Sequence, residues 1–250
     1  MKSIGFTFDE KILRTTSIEA FFDEIPTIDS MEIAPDERIL SIQTYKKLVK
    51  KLPSHNFHVP YFVKEKAYDF SNEDYKKDYT KFLSIIESLR QYSVKRPSIV
   101  LHESSHSHTT TDETKKGLDF LLNFVEQKKM DVTLTLETLP QTTAFGSREQ
   151  ILQIINEFDH PKLKICLDLC HDYYNYDSYE LPDQTFLEQV KYVHLHGKGT
   201  EKHQSIQKFP IDILQSLQLN VTYNLELLTQ FCETYHKTVI SDIRYLQKHL

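Results

Sequence analysis

The chain alternates short β-type runs with longer amphipathic stretches from end to end, and six of the runs close on a histidine or an acid. The six endings are Phe57-His58, Val100-Leu101-His102, Leu136-Glu137, Leu167-Asp168, Val193-His194 and Leu225-Glu226. Strand–helix alternation implies a parallel sheet, because each helix carries the chain back to the edge where the next strand starts. In a closed parallel barrel every strand C-terminus opens on one face, so residues at that phase converge on one pocket. His, Asp and Glu are also the side chains that bind divalent metals. One pattern therefore constrains both the fold and the chemistry.

Eight β-type segments are legible. They are Ser3–Phe8, Met31–Ile33, His55–Val59, Pro97–Leu101, Val132–Leu136, Lys164–Leu167, Val190–Leu195 and Val221–Leu225. Between them the spacing predicts helices over Ser17–Ile25, Glu37–Leu52, Glu73–Ser93, Thr111–Lys128, Arg148–Glu157 and Ile211–Leu217, with a last helix running to Leu250. Ser17, Ser147, Thr111 and Asp112 are capping candidates. An insertion spans Val63–Asn72, and the polar stretch Ser104–Thr111 follows the fourth strand as an active-face loop. Eight units in 250 residues predict an α/β fold, a single (β/α)8 TIM barrel occupying residues 1–250 as one domain.

Composition narrows the function. A net charge of −6 argues against a globally basic nucleic-acid binder, although a local basic patch remains open. The three cysteines, Cys166, Cys170 and Cys232, form no disulfide framework and read as packing thiols. With no long apolar run and no leader pattern, the expectation is a cytoplasmic protein without a membrane partner. His55 reads as a loop histidine ahead of the third strand. Tyr173, Tyr174, Tyr176 and Tyr179 read as packing of a lid after the sixth strand, and the lysines between Lys64 and Lys81 as a solvated face.

Any one of these acids or histidines alone reads as an ordinary hydrogen-bonded group. The set at one structural phase is what points to a metal site. Its motifs, His58-Val59-Pro60-Tyr61, His102-Glu103-Ser104-Ser105-His106, Leu136-Glu137, Asp168-Leu169-Cys170-His171, His194-Leu195-His196, Glu201-Lys202-His203 and Leu225-Glu226, resemble those of the xylose isomerase-like barrel superfamily. The nearest resemblance is to endonuclease IV, the family 2 AP endonucleases. The resemblance covers residues 58 to 226, and the barrel rhythm extends to both termini.

The resemblance implies a shared metal set of Glu137, Asp168, His194 and Glu226. It extends this set, toward a cluster of two or three Zn2+ ions, with His58, His102, His171, Glu201 and His203. Position 201 is Glu where the family usually has Asp, the loop from His194 to His203 is short, and Ala34–Arg38 lacks a clear DNA-probing loop. The resemblance assigns catalytic roles to Glu137, Glu226 and His171, and substrate contacts to Tyr61, His106, His196 and Lys198. It implies a phosphoesterase acting on abasic DNA or another small sugar-phosphate ester. A second reading stays open, a sugar isomerase or epimerase with a single Mn2+ or Mg2+ on the shared set. A third is a barrel that binds without catalysis. Oligomeric state is not legible.

Overall fold

The computed structural model describes residues 2–60, 68–102, 109–140, 147–178, 180–197, 203–229 and 234–250. Its eight strands are β1 (Ser3–Thr7), β2 (Ser30–Ile33), β3 (Ser54–His58), β4 (Ser98–Leu101), β5 (Thr133–Glu137), β6 (Leu163–Asp168), β7 (Val190–Leu195) and β8 (Thr222–Leu225). They pair in parallel in chain order, and β8 returns to β1, so the sheet closes into a barrel. The registers Asp168↔His194 and Leu195↔Leu225 bring the last residues of β6, β7 and β8 to one height.

The helices are α1 (Ile18–Glu24), α2 (Ile42–Val49), α3 (Tyr75–Leu89), α4 (Thr111–Gln127), α5 (Arg148–Phe158), α6 (Leu169–Tyr176), α7 (Gln184–Gln189), α8 (Ile211–Ser216) and α9 (Tyr235–His249). Strand residues alternate between two faces. Leu134 and Leu136 of β5 point outward into the main core, while Thr133, Thr135 and Glu137 share the barrel interior. Phe6 of β1 likewise points outward, meeting Phe21 and Phe22 of α1 at ring-centroid distances of 5.9 and 6.4 Å. The outward layer is the continuous apolar core between sheet and helices. Inside the barrel lies a small separate cluster, Val100, Cys166 and Tyr192. Each precedes a site residue by two, so a period of two sets it directly beneath His102, Asp168 and His194.

Several local readings are corrected. The helix expected over Glu37–Leu52 begins only at Ile42, because Ser41 caps it by accepting from the Thr44 N–H. Thr110 caps α4 in place of Thr111 or Asp112, and it closes a capping box with Glu113. Two helices between β6 and β7 were not anticipated. Neither Leu169–Tyr176 nor Gln184–Gln189 is long enough to show a clear period, and both depend on aspartate caps at Asp168 and Asp183. His55 is the second residue of β3 and is 1% exposed, so it is a core histidine. Cys166 and Cys170 are buried free thiols, as expected of packing residues, and Cys232 lies outside the described residues. Among the described residues no helix is long and apolar enough to cross a membrane.

Stability should follow the sheet–helix layer more than the caps. Leu136→Ala empties a fully buried site in β5 and is expected to destabilise by about 2–5 kcal/mol, whereas Ser147→Ala loses one cap worth about 1 kcal/mol. Denaturant midpoints of the two variants check the order, and a reversal would place the limiting interactions in the helix ends.

Candidate metal centre

Six of the nine expected ligands come from strand ends, and the barrel brings these together. Glu137, the last residue of β5, is 1% exposed and lies at the centre. Its two oxygens face different partners. Oε2 lies 3.3 Å from His58 Nε2 and 2.5 Å from His102 Nε2, and Oε1 lies 3.1 Å from His194 Nδ1. His58 is oriented by its other ring nitrogen, Nδ1, which sits 2.6 Å from the Val59 carbonyl. Glu226, one residue beyond β8, approaches His194 Nδ1 at 3.6 Å and His203 Nδ1 at 3.3 Å through Oε2.

Asp168 does two jobs with its two oxygens. Oδ1 caps α6, accepting from the N–H groups of Cys170 (2.8 Å) and His171 (2.7 Å). This fixes His171 on the first turn of α6, where its Nδ1 meets the Thr138 carbonyl at 3.2 Å. The spacing Asp168-x-x-His171 is thus a helix start that presents an imidazole. Oδ2 is buried without a hydrogen bond and lies on the site side, 3.4 Å from His196 Nε2.

His203 arrives from the loop after β7. Its φ is 57°, the left-handed region that costs an ordinary residue about 1 kcal/mol or more. Its N–H donates to His196 Nδ1 at 3.1 Å, and its own Nδ1 lies 3.1 Å from the Glu226 carbonyl. Gly197 permits this approach: its N–H donates to the Gln204 carbonyl at 2.7 Å, and a Cβ there would collide with the Ser205 backbone. His171, His196 and His203 place ring nitrogens within 4.8 Å of one another. The hydrogen bond into His196 Nδ1, however, uses the only lone pair of a neutral ring. The other ring nitrogen, Nε2, faces Asp168 Oδ2 at 3.4 Å.

Glu32 was read only as part of the second strand. It is fully buried, and its Oε2 lies 2.9 Å from His194 Nε2. Its Oε1 accepts from the Thr7 hydroxyl at 2.9 Å, and that hydroxyl in turn accepts from Asn224 Nδ2 at 2.8 Å. A carboxylate on Nε2 fixes that nitrogen as the protonated one and leaves Nδ1 for an ion. The available signal was a Glu at a position where a two-residue period makes it point into the barrel.

The electrostatics suit cation binding. Burial opposes ionisation of Glu137 and Glu226, but the histidine charges beside them outweigh it and hold both carboxyls well below the usual range. Burial also opposes charge on His194, yet the surrounding acids, Glu32, Glu226 and Glu137 among them, hold its pKa well above the ordinary value. Burial lowers the pKa of His171, so its ring is neutral and able to ligate.

Glu137, Asp168, His194 and Glu226 offer ligand atoms within 4.8 Å of one another, as do His58, Glu137 and His194. Ligands bonded at about 2.0–2.2 Å to one ion sit roughly 3–4 Å apart, so both groups fit a divalent metal without large movement. Three carboxylates with one imidazole suit Zn2+ or Mn2+ equally. Glu201, Tyr61, His106 and Lys198 lie outside the described residues.

The sequence matches the family model described as xylose isomerase-like TIM barrel over residues 16–212. It is 25% identical over 205 residues to the probable endonuclease 4 of Mesomycoplasma hyopneumoniae (strain 7448), covering 73% of this chain and 70% of that one. It is 28% identical over 180 residues to the probable endonuclease 4 of Mycoplasmopsis synoviae (strain 53), covering 65% and 63%. Among solved structures, a xylose isomerase domain containing protein from Salmonella typhimurium LT2 superposes with a TM-score of 0.70 at 16% identity, covering 97% of this chain and 95% of that one. An L-ribulose 3-epimerase superposes with a TM-score of 0.65 at 17% identity, covering 100% and 95%. At these identities the structural likeness is one of fold.

Two outcomes follow from Glu32 and His194. Glu32→Leu is expected to weaken metal binding roughly 10- to 100-fold in chelator competition, with Glu32→Gln, which keeps an acceptor, falling between. Unchanged affinity in both would remove Glu32 from the site's support. In metal-stripped protein, the stability from charged His194 is complete below its ordinary value of 6.5 and is lost as pH rises through the raised one. The Glu137 and Glu226 contributions run the other way and are lost only on acidification. Thermal unfolding of stripped protein should therefore fall on going from neutral to alkaline pH. In loaded protein an ion replaces the proton and the fall should be smaller.

Proposed function

The chain belongs to the xylose isomerase-like TIM barrel family, and we propose that within it the protein is a metal-dependent phosphoesterase of the endonuclease IV kind. Its substrate is abasic-site DNA or another sugar-phosphate ester, and its site holds two or three zinc ions. The observation that carries this reading is the position of Glu137. One oxygen faces His58 and His102, and the other faces His194. A carboxylate with histidines on both sides would suit two ions, one beside His58 and His102 and one beside His194, whereas in a one-ion site His58 and His102 would be left to contact substrate.

In this reading His58, His102 and Glu137 would hold one ion, Glu137, Asp168, His194 and Glu226 a second, and His171 and His203 with Glu201 a third. Bound zinc supplies Lewis acidity toward phosphoryl oxygens and brings the ionisation of water toward neutral pH. The chain's own residues do the rest. Glu137 and Glu226 stay ionised and balance the added positive charge. Asp168, His171 and His203 are held by backbone hydrogen bonds, so the donors do not reorganise as charge develops. Tyr61, His106 and Lys198, outside the described residues, are proposed as substrate contacts. The similarity to proteins named probable endonuclease 4 supports this assignment.

A second reading has a specific observation behind it. Glu137, Asp168, His194 and Glu226 form a complete four-ligand group by themselves. A single Mn2+ or Mg2+ there, with Glu137 and Glu226 moving a substrate proton, makes a sugar isomerase or epimerase. Several structures of similar fold carry epimerase names.

Metal counting on untreated protein separates the two. The phosphoesterase predicts two or three ions, mainly zinc, with His58→Ala and His203→Ala each losing about one, and cleavage of an abasic duplex or a phosphate ester. One ion per chain that survives both substitutions, with no ester cleavage and with exchange of a substrate C–H proton into D2O, would establish the epimerase reading instead.

A further inference from the structure

The opposite end of the barrel carries a second constellation unrelated to metal binding. Five neighbouring strands, β8, β1, β2, β3 and β4, each begin with a hydroxyl residue: Thr222, Ser3, Ser30, Ser54 and Ser98. All five line one cavity of about 210 Å3 at the N-terminal ends of the strands. Ser3 is 6% and Ser30 2% exposed, and the Oγ atoms of both are buried with no hydrogen-bond partner. Leaving a buried hydroxyl unsatisfied costs about 1–3 kcal/mol, so a polar guest that both hydroxyls turn to meet would be stabilised in this cavity.

The lining also decides the kind of guest. Its charged residues are Lys95, Arg96 and Lys191, and no carboxylate is among them. Arg96 is held by Asp131 at 2.6 Å, while Lys95 and Lys191 make no ion pair among the described residues. A cation would need carboxylates or converging carbonyls. A neutral sugar would gain from an aromatic face, and the lining has no Tyr, Phe or Trp. His55, which also lines the cavity, is kept uncharged by burial, its pKa lowered to about 4. Hydroxyl donors beneath, with ammonium groups beside them, match the oxygens of a small oxyanion. A positive pocket in a chain of net charge −6 is a local feature that the overall balance would not suggest.

We propose that the N-terminal end of the barrel is a binding site for a phosphate-sized oxyanion, either inorganic phosphate or the phosphate of a small ester. Ser3 and Ser30 donate from the floor, and Lys95 and Lys191 supply the charge. The Val100–Cys166–Tyr192 cluster separates it from the acids and histidines at the other end, so the inference does not depend on the function proposed above.

The test is a titration of metal-loaded protein with inorganic phosphate, read by amide chemical shifts, which assign binding to one end of the barrel or the other. Saturable shifts at residues 3, 30, 54 and 98 are expected. In Lys95→Ala/Lys191→Ala the affinity should fall about tenfold. Ser3→Ala/Ser30→Ala should also weaken binding, and the shifts at the metal-end residues should not change in either variant. Titrating with a sugar phosphate distinguishes the two sources, since a tighter ester would place the sugar in the same cavity. Shifts confined to the metal end, or shifts at the strand starts that neither double variant weakens, would overturn the site and leave the cavity holding water alone. Both variants lie far from the metal centre, and unchanged metal content confirms that each is folded.

Discussion

The burial of Glu137 is the constraint on which the site depends. A carboxylate sealed inside a barrel is tolerated only when opposite charge and hydrogen bonds surround it. Here His58, His102 and His194 come from three other strands to provide them. Each of those rings then needs its own orientation. His58 takes it from the Val59 carbonyl and His194 from Glu32. The Glu32 carboxylate is anchored through Thr7 to Asn224, so the chain of bonds runs from β8 through β1 and β2 to β7. Satisfying one buried charge thereby ties most of the barrel's circumference together.

The same economy governs the sixth and seventh loops. Asp168 offers one oxygen to the helix it starts and keeps the other toward the site, so the geometry of a helix cap becomes the geometry of a ligand pair. His203 is held in a left-handed backbone conformation by its hydrogen bond to His196 and by the close approach allowed at Gly197. Strain of this sort persists only where the surroundings over-determine it, and it collects where donor positions matter most. The two ends of the barrel divide the labour. Acids and histidines gather where strands finish, and hydroxyls and lysines gather where they begin. The short apolar plug between them keeps the two fields apart.

Much of this was legible in the linear order of residues, for a physical reason. A two-residue period assigns each strand residue to a face, and strand ends in a parallel barrel share a pocket, so the six strand-end acids and histidines could be placed together, and the family resemblance singled out Glu137, Asp168, His194 and Glu226 among them. The barrel itself followed from the count of strand–helix units. Failures occurred where the signal was short or distributed. The two helices after Asp168 have too few turns to show a period, and the Thr110 cap lies one residue ahead of the residues chosen. His196, read either as a substrate contact or as a residue that orients the ligands, is buried between His203 and Asp168 in the fold.

The residues by themselves determined the closed parallel barrel and the identity of its acidic and histidine ring, because local periodicity and strand count are properties of neighbours in sequence. Only the tertiary structure decided how those donors are shared. Glu32 and His194 stand 162 positions apart, and although the two-residue period turns Glu32 into the barrel, nothing local says which side chain it meets there. The split of Glu137 between two histidine faces, the placement of His196 between His203 and Asp168 and the ring of hydroxyls at the strand starts depend on which strands become neighbours and at what register. Those are consequences of barrel closure, which no segment of the chain encodes alone.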